Sequence, residues 1–291
     1  MTEGSAVSFA SGGLPFTAVV TSPDDPFVAD FIGLRDRDLR LRERATAATD
    51  EPLTAVFVAE GDNVVVRALR AGYRLTKVLV DATRTQPLPP ELVAAVDAGA
   101  TLIGAGPEVL FRITGLGVHR GCLGVFERRP LPAVGEILAT SRRLLVLERV
   151  VNPVNLGVIC RSAVGLGMDG LLLDDASVDP LYRRASRVAM GEVFEFAYTR
   201  AGRFPAGLDA VTDAGFTLVA LTPAPDAEPI DRVTFGADER VALVLGSEGP
   251  GLTAETMARC DRRVVIPLAG NVDSLNVGAA AAIACYAITR G

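Results

Sequence analysis

The chain has 291 residues, 49% of them hydrophobic, with a formal net charge of −6. That length supplies one large domain or two ordinary ones with a sizeable core, and the acidic balance argues against indiscriminate coating of nucleic acid while allowing a local basic patch. No run approaches the roughly 18 consecutive apolar residues that span a bilayer, and one histidine with four cysteines, none in a CxxC pair, argues against a metal site.

Residues 1–26 are rich in Ser, Gly, Pro and Asp and read as a flexible arm. They lack the basic and apolar regions of a secretory signal, so a cytoplasmic protein without membrane attachment is expected. Residues 26–44 read as a helix start followed by a basic stretch. There Arg35, Arg37, Arg40, Arg42 and Arg44 alternate with Asp36, Asp38 and Glu43. The stretch fits a salt-bridged solvated surface or a phosphate-facing stripe. Strands are then expected at 55–60, 75–80, 100–103 and 121–126, separated by helices at 63–71, 90–97 and 107–113. This alternation predicts a small α/β domain over 27–127.

Two prolines and charged ends mark 128–142 as a linker. The pattern restarts in a second domain, 143–291. Strands are expected at 144–147, 170–173, 194–198, 217–221, 241–245 and 264–266. Helices are expected at 155–166, 179–189, 204–214 and 276–288, with a short one starting near Thr253. Such regular alternation predicts a mostly parallel sheet covered by helices on both faces.

Three clusters in this domain carry the chemistry. Asn152-Pro153-Val154-Asn155-Leu156-Gly157, with Arg161 further along, lies between a strand and a helix. Arg161 in an otherwise apolar helix is expected to need a partner, because a buried unpaired guanidinium is costly. Gly246-Ser247-Glu248-Gly249-Pro250-Gly251 lets a ligand approach the backbone, but fits neither a Walker loop nor a dinucleotide fingerprint. In Asp273-Ser274-Leu275-Asn276-Val277-Gly278, Ser274 or Asp273 is the expected helix cap, and Asn276 exposes an amide in the first turn. Each cluster alone is also what an ordinary turn or cap would give.

Together, in this order and spacing, the clusters resemble the SpoU/TrmH family of RNA ribose 2′-O-methyltransferases in the SPOUT superfamily. Asn155, Gly157 and Arg161 match the first family motif. Gly246, Glu248, Gly249, Gly251 and Leu252 match the second. Ile266, Pro267, Ser274, Leu275, Asn276 and Val277 match the third. The resemblance is strong over 144–290 and loose over 28–127.

The resemblance implies a knotted C-terminal domain that binds S-adenosylmethionine, a front α/β domain that binds RNA, and a homodimer. Cofactor contacts are expected at Gly246, Ile266 and Leu275, with Leu221, Thr222 and Leu268 beside them. Arg161 is expected to hold an RNA phosphate, Asn155 to orient the arginine or the ribose, and Glu248, Ser274 and Asn276 to complete the hydrogen-bonding shell. Arg35, Arg37, His119, Arg120, Arg183 and Arg184 are the RNA-contact candidates. The chain departs from the family pattern at Asn152-Pro153, at Ala189-Met190-Gly191 and at His119-Arg120-Gly121. The implied substrate is ribosomal RNA ahead of transfer RNA. A non-catalytic RNA-binding or ribosome-assembly protein on the same fold is the alternative from another class.

Overall fold

A computed structural model describes residues 16–32, 56–114, 121–270 and 272–290. The chain divides into two units: one holds the residues up to Arg129 together with Leu181–Arg187, and the other holds Pro130–Pro180 and Val188–Gly291.

The front unit contains strands β1 (Ala18–Val20), β2 (Val56–Glu60), β3 (Leu75–Asp81), β4 (Thr101–Ala105) and β5 (Cys122–Glu127). Helices α1 (Asp62–Arg70), α2 (Pro90–Asp97) and α3 (Pro107–Thr114) connect β2 through β5. The sheet order is β1-β4-β3-β5-β2, with β5 antiparallel to both neighbours. Part of the expected arm belongs to this fold. Ala18–Val20 is an edge strand parallel to β4. The expected helix start is a 3-10 helix, Pro26–Phe31, whose first turn is capped by Asp25 accepting from the Phe27 N–H at 2.9 Å. Val28 and Phe31 are fully buried in the core with Leu79, Ile103 and Leu123. Their apolar burial, about 1.5–3 kcal/mol for such a side chain, outweighs the polar composition around them.

The predicted linker is corrected in the same way. Val134–Thr140 is a helix, α4. Its Glu136 carboxylate accepts from the Ala133 N–H at 2.7 Å, and Ile137 and Leu138 are buried in the core of the rear unit. The Arg240 guanidinium donates to the carbonyls of Ser141 and Ala214 and lies 4.1 Å over the Phe216 ring. The prolines at 130 and 132 therefore end before a helix that is part of the second core.

That core is built on a seven-stranded sheet, comprising β6 (Arg143–Leu147), β7 (Gly170–Leu173), β8 (Tyr198–Arg200), β9 (Thr217–Leu221), β10 (Glu228–Pro229), β11 (Val241–Leu245) and β12 (Arg262–Val265). The order is β10-β12-β9-β11-β6-β7-β8, and every pairing is parallel. Leu144–Leu147, Leu171–Leu173 and Val241–Val244 are wholly buried, the mark of strands covered on both faces. The expected strand at 194–198 lies later, at Tyr198–Arg200, after a 3-10 turn. The expected helix at 204–214 is a 3-10 turn followed by α7 (Asp209–Asp213), and that at 179–189 is the shorter α6 (Arg183–Val188).

Helices α5 (Pro153–Leu166) and α9 (Val277–Arg290) pack against each other, with α8 (Ala254–Arg259) between the last two strands. On α9, Gly278, Ala281, Ala284, Cys285 and Ile288 are buried, one face at helical spacing. Gly278 is the point of closest approach: a Cβ there would lie 2.7 Å from Val158 Cγ1 on α5. Arg143 donates through Nε to the Ile288 carbonyl at 3.1 Å, tying the last turn of α9 to the start of β6.

Candidate active site

Strands β12, β9 and β11 are neighbours, so the loops leaving their carboxyl ends converge. That edge is where ligands bind in parallel α/β sheets. Here the three loops and the first turn of α9 enclose a cavity of about 730 Å³, inside the range of small-molecule sites. All six residues expected at the cofactor, Leu221, Thr222, Gly246, Ile266, Leu268 and Leu275, line it. Glu248, Ser274 and Asn276 line it as well.

The Gly246–Leu252 loop folds back on itself. The Gly251 N–H donates to the Ser247 carbonyl at 3.1 Å. A Cβ on Gly246 would collide with the Gly251 backbone, so only glycine fits. Gly249 and Gly251 take left-handed conformations with φ of 83° and 70°.

The three sequence clusters meet on one amide. Asn276 Oδ1 accepts from the Gly278 N–H at 2.9 Å. That makes Asn276 the cap of α9, correcting the expectation of Ser274 or Asp273. The bond also orients the amide, so Nδ2 faces the other way. Its two hydrogens go to Asn155 Oδ1 at 3.1 Å and Glu248 Oε1 at 2.7 Å. Asn155 is buried in the first turn of α5, where Asn152 caps the helix by accepting from the Val154 N–H. Ser274 is exposed at the cavity wall.

Arg161 stands apart from this cluster. It lies six positions after Asn155 on α5, which turns it about 240° around the helix. It is exposed, and among the described residues it makes no hydrogen bond or ion pair. Among the described residues the expected internal partner is not found, and the side chain is exposed to solvent. In the turn after β6, Arg149 has a φ of 56°, and Asp174 Oδ1 accepts its N–H at 3.0 Å.

Of the RNA-contact candidates, Arg35, Arg37, His119 and Arg120 lie outside the described residues. Arg184 is exposed. Arg183 is corrected: it is 8% exposed and paired with Glu60 at 3.2 Å, so its charge is already committed inside the front unit. Arg187 shares the same carboxylate. Burial pushes the thiols of Cys160, Cys260 and Cys285 up to about 12, and that of Cys122 well above its usual value, so none of the four is a ready nucleophile. No group of three or more His, Cys, Asp or Glu among the described residues is placed to hold a metal, and no helix among them is long and apolar enough to cross a membrane.

Residues 142–286 match the model of the SpoU rRNA Methylase family. An uncharacterized tRNA/rRNA methyltransferase of Mycobacterium bovis is 38% identical over 273 residues, covering 93% of this chain and 91% of the relative. The chain belongs to the SpoU methylase family. Among other SpoU-type relatives, the 23S rRNA (guanosine(2553)-2′-O)-methyltransferase RlmP of Bacillus subtilis is 29% identical over 80% of this chain and 88% of its own. The AdoMet-bound rRNA methyltransferase from Sinorhizobium meliloti superposes with a TM-score of 0.75 at 26% identity, covering 92% of this chain and 96% of that one. The α/β architecture with a mostly parallel sheet is thus the SpoU methyltransferase fold, and the protein is an RNA methyltransferase of that family. What sequence reasoning missed is the double role of Asn276. The Asx-type spacing Asn276-Val277-Gly278 before the helix was the available signal.

Proposed function

We propose that the protein transfers the methyl group of S-adenosylmethionine to a ribose 2′-hydroxyl in structured RNA, with ribosomal RNA as the substrate class ahead of transfer RNA. The observation that carries this reading is the Asn276 amide, which binds Asn155 and Glu248 at the wall of the 730 Å³ cavity. The cavity suits the cofactor: Leu221, Ile266, Pro267 and Leu268 offer apolar surface for a purine, and the turn at Gly246 brings backbone amides and carbonyls to its rim. The sulfonium supplies an activated methyl group, so what remains for the protein is to orient the ribose and receive its proton.

Arg161 is free to bind an RNA phosphate, since no carboxylate among the described residues neutralises it. A guanidinium is a strong phosphate ligand and a poor base. Asn155, Glu248, Ser274 and Asn276 form the polar wall that would hold the ribose. The relatives acting on 23S rRNA support the ribosomal choice. A homodimer and a knotted C-terminal segment complete the proposal. Ile283 and Tyr286, 42% and 59% exposed on α9, offer apolar surface for a second copy.

The test is methyl transfer from radiolabelled S-adenosylmethionine to unmodified ribosomal and transfer RNA. Label at an alkali-resistant dinucleotide of ribosomal RNA is expected. Label confined to transfer RNA would move the substrate, and label on a base would refute ribose methylation.

A further inference from the structure

Glu148 follows the buried run Leu144–Leu147 and is itself 2% exposed. It touches both feet of the Gly246–Leu252 loop. Its N–H donates to the Leu245 carbonyl, where the loop begins, at 2.8 Å. Its carboxylate accepts from the Thr253 N–H, where the loop ends, at 2.8 Å. The same carboxylate accepts from the hydroxyls of Thr253 and Thr256 at 2.8 and 2.7 Å. We infer that Glu148 is a positioning residue for methyl transfer, holding the glycine-rich loop so that Gly246 closes the cofactor cavity and Glu248 reaches Asn276.

Three considerations carry the inference. Helix α8 already has a cap, because Thr253 Oγ1 accepts from the Thr256 N–H, so a further acid is not required to start it. Among the described residues, no arginine or lysine is a hydrogen-bond partner of the Glu148 carboxylate, and a buried carboxylate without a cation is an expensive way to stabilise a fold. A loop with glycines at 246, 249 and 251 has more backbone freedom to lose than the same loop with ordinary side chains there. Pinned at both feet by one residue, it has little left. Glu148 lines no part of the cavity, so it acts through the loop and not on the ligand.

This inference rests on the methyltransferase reading. The test is calorimetric titration of the full chain with S-adenosylhomocysteine, alongside thermal melting, for the unmutated protein, Glu148→Ala, Glu148→Gln and Arg240→Ala. Arg240 clamps α4, away from the cavity, and serves as a control for lost stability. Glu148→Ala is expected to weaken binding by about tenfold or more, the worth of a hydrogen bond to a charged group. Glu148→Gln, which keeps one acceptor for the Thr253 N–H, should recover part of that loss and carries the test if the alanine variant does not fold. Arg240→Ala should melt earlier yet bind as the unmutated chain does. Unchanged affinity in both Glu148 variants, or a loss no larger than that of Arg240→Ala, would overturn the positioning role alone. No binding by the unmutated chain would overturn the cofactor reading and this inference with it.

Discussion

Asn276 donates through Nδ2 to Glu248 Oε1 at 2.7 Å while its own Oδ1 is held by the N–H of Gly278. One amide therefore caps a helix and sets the position of a carboxylate from a loop 28 residues away. Asn276→Asp separates the two duties. An aspartate still caps α9, but it presents an acceptor to Glu248 where a donor stood. Methyl transfer is expected to fall by at least about tenfold, given what a hydrogen bond to a charged group contributes. The melting temperature should fall only modestly, since the cap is kept while the new carboxylate faces Glu248 and Asn155. Single-turnover transfer and thermal melting on the same preparation check both halves.

The contact at Gly278 sets how close α9 lies to α5. Gly278→Ala pushes a methyl group to within 2.7 Å of Val158 Cγ1 and 3.1 Å of Asn276 Oδ1. Overpacking of this kind costs about 1–3 kcal/mol. Urea unfolding should show that loss. Transfer should fall further than the unfolded fraction explains, because the bond that orients Asn276 comes from the same residue.

Arg161 gives the opposite profile. Its side chain is exposed and unpartnered among the described residues, so Arg161→Ala should change stability by no more than about 0.5 kcal/mol. Titration with S-adenosylmethionine should be nearly unaffected. Transfer to RNA should be abolished and RNA affinity reduced. Full activity in this variant would remove the arginine from the mechanism.

Alkali offers an independent probe of the rear core. Cys160, Cys260 and Cys285 ionise near 12 in the fold, against an ordinary value of 9.0, because burial disfavours the thiolate. A folded value above the unfolded one means that the contribution to stability is complete below pH 9 and is lost as pH rises towards 12. Denaturant midpoints should fall across that window. Replacing Cys160 and Cys285 with alanine should flatten the slope while lowering stability at neutral pH. Ellman's reagent in mild alkali should react slowly with the native chain and promptly after unfolding.

Much of this was legible in the residues. Apolar runs of four or five separated by helical segments announced the parallel sheet, and the three polar clusters announced the candidate site, because each follows the end of a strand. What escaped depended on distant partners. The local signal for a helix at Val134–Thr140 is slight, a Glu136 that reaches back to the Ala133 N–H, and its main reason to form is a core containing Phe216 and Leu218. Nothing near Arg183 reveals that Glu60, far back in the chain, has taken its charge. Ser274 and Asp273 cap as well as asparagine by type, yet Asn276 caps, because the helix starts where Gly278 can meet Val158. Arg161 reads as internal among apolar neighbours, and only the geometry of α5 turns it outward.

The bond between Asn155 and Asn276 joins residues 121 positions apart. A ribosome adding about 5–20 residues per second needs roughly 6–24 s to cover that distance. Throughout that interval the emerging polypeptide carries Asn155 without its donor. On the proposed function, the polar wall that would hold the ribose is thus incomplete throughout that interval. It closes only once α9 has left the exit tunnel.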